Sequence, residues 1–300
     1  MSLHPSQPQE VSETVWSPSR LFVAILAGRI DEVREQIRAG GEKGINEERN
    51  MFGRPAIVEA GRVGCVDSIA LLVAGNARID LPDTKGRTAL MHAGFFGHGP
   101  AVRLLLEKGA STNIFDKNGD TVLISAIVTR REEVVRDLLF SGHADPELVT
   151  KRGDTPLVMA ALSGCTGIVV ALAHARADLN RTGADDLTAL MSASVKGGRD
   201  AVRALLLEGA DPHVVNRYGY TALTYASLWG WEEIVRDLLM YAPSPDEVHR
   251  AHLKARDHPK IRQLLWQYVG RDHTSPGPGD SIDPGSASSG ECSEGEMETG

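Results

Sequence analysis

The sequence is poor in the features that mark disulfide-rich, secreted and membrane-spanning proteins. Its 300 residues include only three cysteines, too few for a disulfide framework in a chain of this length. No apolar run approaches the length that crosses a bilayer, and residues 1–13 contain no apolar stretch that could be a signal sequence. Aromatic residues make up only 5% of the chain, whereas the 42% hydrophobic fraction suffices for a continuous core. The sequence therefore predicts a soluble protein of the cytoplasm, and nothing in it argues against the nucleus.

Strong charge of one sign is also missing from most of the chain. Residues 271–300 hold seven carboxylates against one arginine, a net charge of −6 out of −8, which leaves −2 for residues 1–270. A body this close to neutral gives no broad attraction to nucleic acid, so nucleic-acid binding is disfavoured. The acidic segment is rich in glycine and serine and has almost no large apolar residues, which predicts disorder.

Motifs that carry catalysis are absent as well. The chain has no phosphate-cradling glycine loop, no Gly-x-Ser-x-Gly elbow and no paired zinc motif. His249 and His252 have a spacing that formally suits a metal, but exposed histidines are commoner and a metal would need more converging ligands. We therefore expect no enzyme activity, no metal and no cofactor. A hydrolase or transferase with a cryptic site is the remaining enzymatic alternative.

A short pattern repeats at a nearly fixed interval through most of the chain. Thr-x-Leu-x-x-Ala begins at five threonines separated by 33, 34, 33 and 33 residues: Thr88, Thr121, Thr155, Thr188 and Thr221. A constant period of this length indicates one supersecondary unit stacked on copies of itself. Such a solenoid offers an extended surface and seldom a closed catalytic pocket.

The unit that starts at Asp83 shows the local structure that the pattern predicts. Gly86 lies where a tight turn requires a positive φ, and the hydroxyl of Thr88 can cap a first helix. Gly97 suits the left-handed position that ends this helix, and the apolar spacing of residues 101–106 predicts a second helix. The predicted order is turn, helix, glycine, helix, loop.

These motifs resemble those of the ankyrin-repeat family. The resemblance rests on Asp-x-x-Gly-x-Thr-x-Leu, then a glycine, then Val-x-x-Leu-Leu, then Gly-Ala-Asp, and covers residues 14–243. Seven units, numbered 1 to 7 below, begin near Thr14, Asn50, Asp83, Asp116, Thr150, Gly183 and Asn216. The resemblance implies an all-α fold, a solenoid of stacked helix-turn-helix units with hairpin loops.

Three departures from the family pattern carry consequences. The histidine of the family's Thr-Pro-Leu-His is replaced by Met91, Ile124, Val158, Met191 and Thr224. We therefore expect the side-chain hydrogen bonds of that histidine to be missing, but the fold to be kept. Asp186 replaces a turn glycine, and Arg130 replaces the glycine that ends the first helix of unit 4. We expect a strained or reshaped turn at residues 129–131, because a left-handed arginine costs about 1 kcal/mol.

The patterns also predict the boundaries of the chain's parts. Residues 1–13 form a flexible leader, 14–270 the solenoid with its caps (clear repeats over 83–243), and 271–300 a disordered acidic Gly/Ser-rich tail. Before the tail, Ser244-Pro-Asp-Glu and an apolar segment from Pro259 predict two capping helices. Ser288 and Ser293 each precede a glutamate by three residues and are candidate phosphorylation sites. A tail that only improves solubility is the simpler interpretation.

The resemblance implies that hairpin tips and the exposed ends of the first helices line a concave face that binds a partner. The basic candidates on this face are Lys85, Arg87, Lys117, Lys151, Arg152 and Arg217. The aromatic candidates are Phe95, Phe96, Tyr218, Tyr220 and Trp229. Such a surface suits an acidic or aromatic-binding segment of another protein, although basic residues are also ordinary on exposed turns. Tyr225 and Trp231 are expected to pack on the C-terminal cap instead.

The expectation for function is a monomeric intracellular scaffold that binds a partner protein on its concave face without catalysis and without a membrane. Two alternatives remain. One is a regulatory subunit whose acidic, phosphorylatable tail competes for its own basic hairpins. The other is a substrate adaptor for ubiquitin ligation, although the cap shows no recognisable recruitment box.

Overall fold

The computed structural model describes residues 17–141 and 143–272. Over these residues the fold is all-α, as predicted, with 16 helices. Their bounds are α1 Pro18–Ala27, α2 Ile30–Glu47, α3 Ala56–Val63, α4 Val66–Ala74, α5 Ala89–Phe96, α6 Gly99–Glu107, α7 Val122–Val128, α8 Glu132–Phe140, α9 Pro156–Ser163, α10 Thr166–His174, α11 Ala189–Lys196, α12 Arg199–Leu207, α13 Ala222–Leu228, α14 Glu232–Leu239, α15 Pro245–Lys254 and α16 Pro259–Asp272. The expected leader, the tail beyond Asp272, Ser288 and Ser293 lie outside the described residues.

The helices form two layers that run along the array. In each unit the first helix packs on the second, and the first helices of successive units pack on one another, as α3 does on α5 and α9 on α11. The second helices form the other layer in the same order, with α4 on α6 and α10 on α12. At the C-terminal end α15 packs on α13 and α16 on α14, so this last pair continues both layers. Each unit thus contacts mainly its neighbours, as stacked repeats do.

The threonine at the start of each clear unit caps its first helix, as predicted. The hydroxyl oxygen of Thr88 accepts a hydrogen bond from the backbone N–H of Met91 at 3.3 Å. The same bond recurs in the next four units. Because losing such a cap costs about 1 kcal/mol, the phase of the threonines fixes where each first helix begins.

Left-handed residues end most of the first helices. Gly97 has a φ of 81°, and the glycines in the same phase of five other units also have positive φ. Arg130 takes this position in unit 4 with a φ of 56°, and Asp186 replaces the turn glycine with a φ of 59°. Arg130 thus takes the left-handed conformation of the glycines that it replaces, and the strain expected at residues 129–131 stays a prediction. Asn76 and Arg176 also have positive φ, which the sequence pattern did not predict.

One apolar core runs the length of the array between the two layers. The motif leucines Leu90, Leu123, Leu157, Leu190 and Leu223 are each at most 3% exposed. In the C-terminal cap, Ser244 and Glu247 form the expected capping box, in which the Ser244 N–H donates to Glu247 Oε2 at 2.8 Å. Ile261 and Leu265 of α16 are buried and close the apolar end.

Candidate interaction surface

The hairpins between units are held by their own first residues. In unit 3, Oδ1 of Asp83 accepts hydrogen bonds from the backbone N–H groups of Lys85 at 2.8 Å and Arg87 at 2.9 Å. Asp116 holds the next hairpin in the same way. The two hairpins are joined where the Lys117 N–H donates to the Lys85 carbonyl oxygen at 2.9 Å. The hairpin edge at units 3 and 4 is therefore fixed by backbone hydrogen bonds.

Arg87 is used inside the chain rather than presented as a free cation. Its Nε donates to Oδ2 of Asp116 at 3.0 Å, and that carboxylate is buried. The guanidinium also lies over the ring of Phe95, 5.9 Å from the ring centroid. Removing the arginine would leave a buried carboxylate without the cation that pairs with it, so Arg87 has a structural role between units 3 and 4.

Other basic candidates on the hairpins are partly used within the chain as well. Nζ of Lys151 donates to the carbonyl oxygen of Lys117. Arg152, whose own side chain is exposed, lies 3.9 Å from a carboxylate oxygen of the buried Asp154 and 3.8 Å from one of the exposed Asp185. Surface pairs of this kind contribute little stability, so a partner's carboxylate can compete for these cations.

Three tyrosines of unit 7 lie side by side at its hairpin. The ring centroids of Tyr218 and Tyr220 are 6.4 Å apart, and Tyr225 meets Tyr220 edge-on at 5.6 Å. The hydroxyl of Tyr225 accepts a hydrogen bond from Asn216 Nδ2 at 2.9 Å, which ties it to its own hairpin. Burial raises the pKa of Tyr225 above its ordinary value, so the phenol is neutral at physiological pH.

Two cations lie on the faces of these tyrosines. The guanidinium carbon of Arg217 is 5.2 Å from the ring centroid of Tyr218, and Nζ of Lys254 is 4.8 Å from that of Tyr220. The sequence did not point to Lys254, because α15 brings it to the hairpin only through packing on α13. Arg217, Tyr218, Tyr220, Tyr225 and Lys254 are called the unit-7 cluster below.

The remaining aromatic candidates form separate spots. Trp229 follows the last residue of α13 and is 54% exposed. Of the ring contacts in the described part of the chain, none joins Trp229 to the tyrosines at the other end of this helix. Phe95 and Phe96 meet edge-on, with centroids 5.2 Å apart, at the end of α5. Of the predicted aromatic residues, Phe96, Tyr218 and Trp229 are exposed, whereas Phe95 and Tyr220 are half-buried. They lie at both ends of the first helices and do not form one continuous strip.

The expectation that Trp231 packs on the C-terminal cap is wrong. Its indole Nε1 donates to the backbone carbonyl of Val195 at 3.4 Å, so the ring turns back onto unit 6. A methyl group on Gly197 would come within 2.6 Å of that ring, which shows how closely the two units meet there. The contact crosses a junction between repeats, and the pattern within one repeat does not reveal it.

A hydrogen bond between hairpin and first helix survives in three units despite the missing family histidine. In unit 3 the residue after the replaced position, His92, bonds through Nε2 to Oδ2 of Asp83 at 2.9 Å. In unit 2, Asn50 Nδ2 donates to Glu59 at 3.1 Å, and in unit 7 Tyr225 takes the equivalent place. Each pair is separated by nine residues, a spacing that could have identified them in the sequence.

The buried pair in unit 3 joins a neutral imidazole to an ionised carboxylate. Burial lowers the pKa of His92 below its ordinary value, although Asp83 opposes the shift. Burial alone would raise the pKa of Asp83, but the hydrogen bonds from His92, Arg87 and Lys85 outweigh it and lower that pKa. Near neutral pH the neutral ring therefore donates its N–H to the carboxylate.

Over the described residues the structure has clefts but neither a cluster of metal ligands nor a helix that could span a membrane. Over residues 17–141 and 143–272, no three His, Cys, Asp or Glu side chains come together to bind an ion. A cleft of about 350 Å³ between α14 and α16 is lined by residues including Arg236, Leu239 and Leu264, with no histidine, carboxylate or cysteine among them. No helix in the described part of the chain is both long and apolar enough to cross a bilayer.

Comparison with known proteins shows extensive similarity to one family. The family profile described as ankyrin repeats (three copies) matches residues 21–116, 57–149, 111–183 and 181–249. One similar solved structure is the ankyrin repeat domain of Bcl-3, described as a unique member of the IkappaB protein family. It is 26% identical with a TM-score of 0.67, and the match covers 74% of this chain and 97% of that chain.

A second similar structure is the human ASB11 ankyrin repeat domain. It is 22% identical with a TM-score of 0.62, and the match covers 75% of this chain and 98% of that chain, a likeness that concerns the fold alone. No curated protein matches the sequence significantly.

Proposed function

Since this chain belongs to the ankyrin-repeat family, we propose that it is a binding protein without catalytic activity that holds a partner protein against its hairpins and first helices. Ankyrin repeats in general serve as protein–protein interaction modules. The described surface supports binding rather than turnover, because its exposed aromatic and cationic groups do not form a nucleophile–base arrangement. We place this activity in the cytoplasm, with the protein acting as a monomer.

The observation that carries the proposal is the unit-7 cluster. Tyr218 is 62% exposed although its ring is large and apolar, and the cation of Arg217 already lies over one face of it. Exposed Tyr, Trp and Arg side chains are the residues that most often dominate binding energy. Tyr220 packs against Tyr218 on one side and meets Tyr225 edge-on on the other, so Tyr220 has less side-chain freedom to lose on binding.

The chemistry of the surface favours an acidic segment of the partner. Lys85 and Lys117 are exposed, and their ammonium groups have no ionic partner among the described residues. Arg152 is exposed and has only long contacts to carboxylates, and Arg217 and Lys254 lie on tyrosine rings. Carboxylates of a partner would be attracted to these cations, which would speed association and fix the partner's alignment along the hairpins. The aromatic rings would supply most of the affinity.

The test compares two triple variants in affinity capture from native lysate. Tyr218→Ala/Tyr220→Ala/Trp229→Ala removes the aromatic anchors. The matched control, Phe140→Ala/Leu207→Ala/Met240→Ala, removes exposed apolar side chains of α8, α12 and the end of α14. Circular dichroism and melting temperature establish that both variants remain folded.

A protein retained by the wild type and the control variant, but lost by the aromatic variant, is the expected result. Measured with the identified partner, the aromatic variant should bind at least about 30-fold more weakly, because hot-spot truncations cost about 2 kcal/mol or more. Equal recovery by both variants would place the site on another surface. Loss in the control variant alone would move it to the ends of the second helices.

A further inference from the structure

A side chain from the following unit closes the end of the first helix at four places in the array. The donor–acceptor pairs are His98 Nε2 to Arg62 O (3.0 Å), Arg131 Nε to Phe95 O (3.3 Å), Trp231 Nε1 to Val195 O (3.4 Å) and His258 Nε2 to Leu228 O (3.2 Å). Because a carbonyl oxygen can only accept, each of these rings or guanidinium groups donates an N–H. The accepting carbonyl always lies two residues before the glycine that ends the first helix.

The same side chain also covers that glycine. A methyl group on Gly64 would come within 2.5 Å of the His98 ring, and one on Gly197 within 2.6 Å of the Trp231 ring. The other two glycines of the set are covered as closely. In all four places a side chain that carries a planar N–H group thus lies close against the end of a first helix.

Gly164, at the end of α9, has no such cover. The residue in phase in the next unit is Gly198, which has no side chain to donate to the Leu162 carbonyl. Beyond the immediate chain neighbours, no heavy atom lies within 4 Å of the position that a Cβ on Gly164 would take. Gly164 is accordingly exposed, whereas the four covered glycines are half-buried. The space beside Gly164 and the Leu162 carbonyl is called the Gly164 slot below.

The backbone does not require a glycine at position 198. Its φ and ψ of −78° and 75° match those of Trp231 (−84° and 78°) and His98 (−81° and 73°), which carry side chains. A Cβ on Gly198 would meet its nearest neighbours at 3.7 Å and 3.8 Å, which is ordinary van der Waals contact. The fold would accept a closing side chain here, and the glycine leaves the slot open.

Gly28 is also uncovered, but its junction differs. The residue in phase there is Cys65, whose Sγ lies 3.0 Å from the hydroxyl of Ser68. A side chain is therefore present at that junction and is turned away. Gly164 is the uncovered glycine, among the described first-helix ends, at which the next unit contributes no side chain at all.

We propose that the Gly164 slot is a docking site for a tryptophan side chain of a partner protein. The four closed junctions show what the slot holds: a planar group whose N–H donates to the carbonyl two residues before the glycine. In the adjoining unit the chain supplies that group itself, as Trp231. At the Gly164 slot the partner supplies it, with Leu162 as the acceptor.

The charges around the slot select indole over a cationic side chain. Lys196 and Arg199 flank the Gly197-Gly198 turn. Arg199 is paired with Asp237 and Glu233, whereas Lys196 is exposed and supplies the positive charge beside the slot. A partner's arginine or lysine would meet like charge there, whereas the indole ring is neutral and its face attracts cations. Indole also buries a large apolar surface against Gly164 while satisfying the free carbonyl.

This site lies apart from the unit-7 cluster. The slot is at the C-terminal end of a first helix in the middle of the array, while the tyrosines lie at the N-terminal end of α13. The two sites use different units and opposite helix ends. A partner that binds the tyrosines and one that inserts a tryptophan can therefore be tested separately.

The first experiment titrates the full-length protein with N-acetyl-tryptophanamide and follows backbone amide signals by NMR. We expect saturable shifts at Gly164 and Cys165 at millimolar probe, with the Gly97 and Gly197 signals unchanged because those slots are filled. The ring-N-methylated analogue keeps the aromatic surface but has no N–H. We expect it to bind at least about 5-fold more weakly, since an unpaired carbonyl costs about 1 kcal/mol or more.

Two variants of one residue complete the test. Gly198→Trp should fill the slot from within, raise the melting temperature and abolish the shifts at Gly164. Gly198→Ala leaves the slot open and should bind the probe as the wild type does. If Gly198→Trp does not fold, Gly198→His, which repeats the ring found at position 98, replaces it with the same expected result.

The outcomes that overturn the proposal are specific. They are no shift at Gly164 at millimolar probe, equal binding of the methylated probe, or equal shifts at Gly97 and Gly197. Undiminished binding to a folded Gly198→Trp or Gly198→His variant overturns it as well. None of these results bears on the unit-7 cluster, whose test uses other residues.

Discussion

Asp237 in unit 7 accepts two parallel hydrogen bonds from Arg203 in unit 6. The Nε–Oδ2 distance is 2.8 Å and the Nη2–Oδ1 distance 2.9 Å, and Arg199 adds bonds of 2.7 Å and 3.2 Å to the same carboxylate. Burial alone would raise the pKa of Asp237, but these charge-assisted bonds outweigh it and lower the pKa to about 2. One carboxylate therefore ties two arginines of α12 to α14.

Acid should loosen this junction in a defined range of pH. The pKa of Asp237 is about 2 in the folded chain against an ordinary 3.8, so its bonds contribute stability above about pH 4 and lose it as the pH falls toward 2. Asp237→Asn should lower the free energy of unfolding at neutral pH by about 1–2 kcal/mol. The loss is this small because water around the exposed arginines screens their interaction with the carboxylate. It should also flatten the decline below pH 4, as measured by urea unfolding.

Asp137 provides the matched control for that change. It occupies the equivalent place in unit 4 but accepts a single hydrogen bond, from Arg103 Nη1 at 2.8 Å. Asp137→Asn should cost less than Asp237→Asn. Equal losses would show that the number of bonds to the carboxylate does not determine the stability of the junction.

Replacing each of two neighbouring arginines with glycine should shift the melting temperature in opposite directions. Arg130 is held at a φ of 56°, so Arg130→Gly should relieve strain of about 1 kcal/mol and raise the melting temperature. Arg131 has an ordinary backbone and donates to the Phe95 carbonyl, so Arg131→Gly should lower the melting temperature. Calorimetry of the two variants decides. An unchanged or lower melting temperature for Arg130→Gly would rule out the strain.

The buried pair in unit 3 should make stability fall in weak acid. The pKa of His92 is lowered in the folded chain, so protonation favours the unfolded chain once the pH falls below the ordinary value of 6.5. His92→Gln can keep an N–H donor to Asp83 but does not titrate. The stability advantage of the wild type over this variant should therefore shrink between about pH 7 and about pH 5. A constant difference across that range would contradict a neutral buried imidazole.

Removing residues 273–300 tests whether the acidic tail regulates binding. Our proposed function needs only the described surface, so a partner identified by capture should bind the shortened chain with unchanged affinity at moderate salt. A tail that competes for Lys85, Lys117 and Arg152 would instead make the shortened chain bind more tightly at low salt. Ser288→Glu/Ser293→Glu in the full chain should likewise have no effect. Tighter binding after deletion would favour the regulatory alternative.

The elements that the sequence predicted are those set within one repeat. Thr88 caps its helix, Gly97 is left-handed and Leu90 is buried because each role depends on residues a few positions away. Because these residues recur at a constant period, the sequence also predicts that the units stack into an all-α solenoid. Even the left-handed Arg130 could be predicted, since its phase matches that of the glycines.

The surface was harder to predict because its contacts join different repeats. Arg87 belongs to the basic row by its position in the hairpin, yet Asp116, 29 residues later, engages it. Trp231 belongs to an aromatic unit, but its ring turns to Val195, 36 residues earlier. Which exposed side chain remains available to a partner depends on such junctions, and a single repeat does not encode them.

The side chains that close the first helices also determine the order in which the units can be completed during synthesis. Each helix end in the set is closed by a residue that comes later in the chain: the Arg62 carbonyl by His98, and the Leu228 carbonyl by His258. During synthesis from the N-terminus a unit therefore emerges unfinished and is completed only when the next has left the ribosome. A chain stalled after one of these four first helices, before its closing residue has emerged, therefore exposes an open helix end at its growing side.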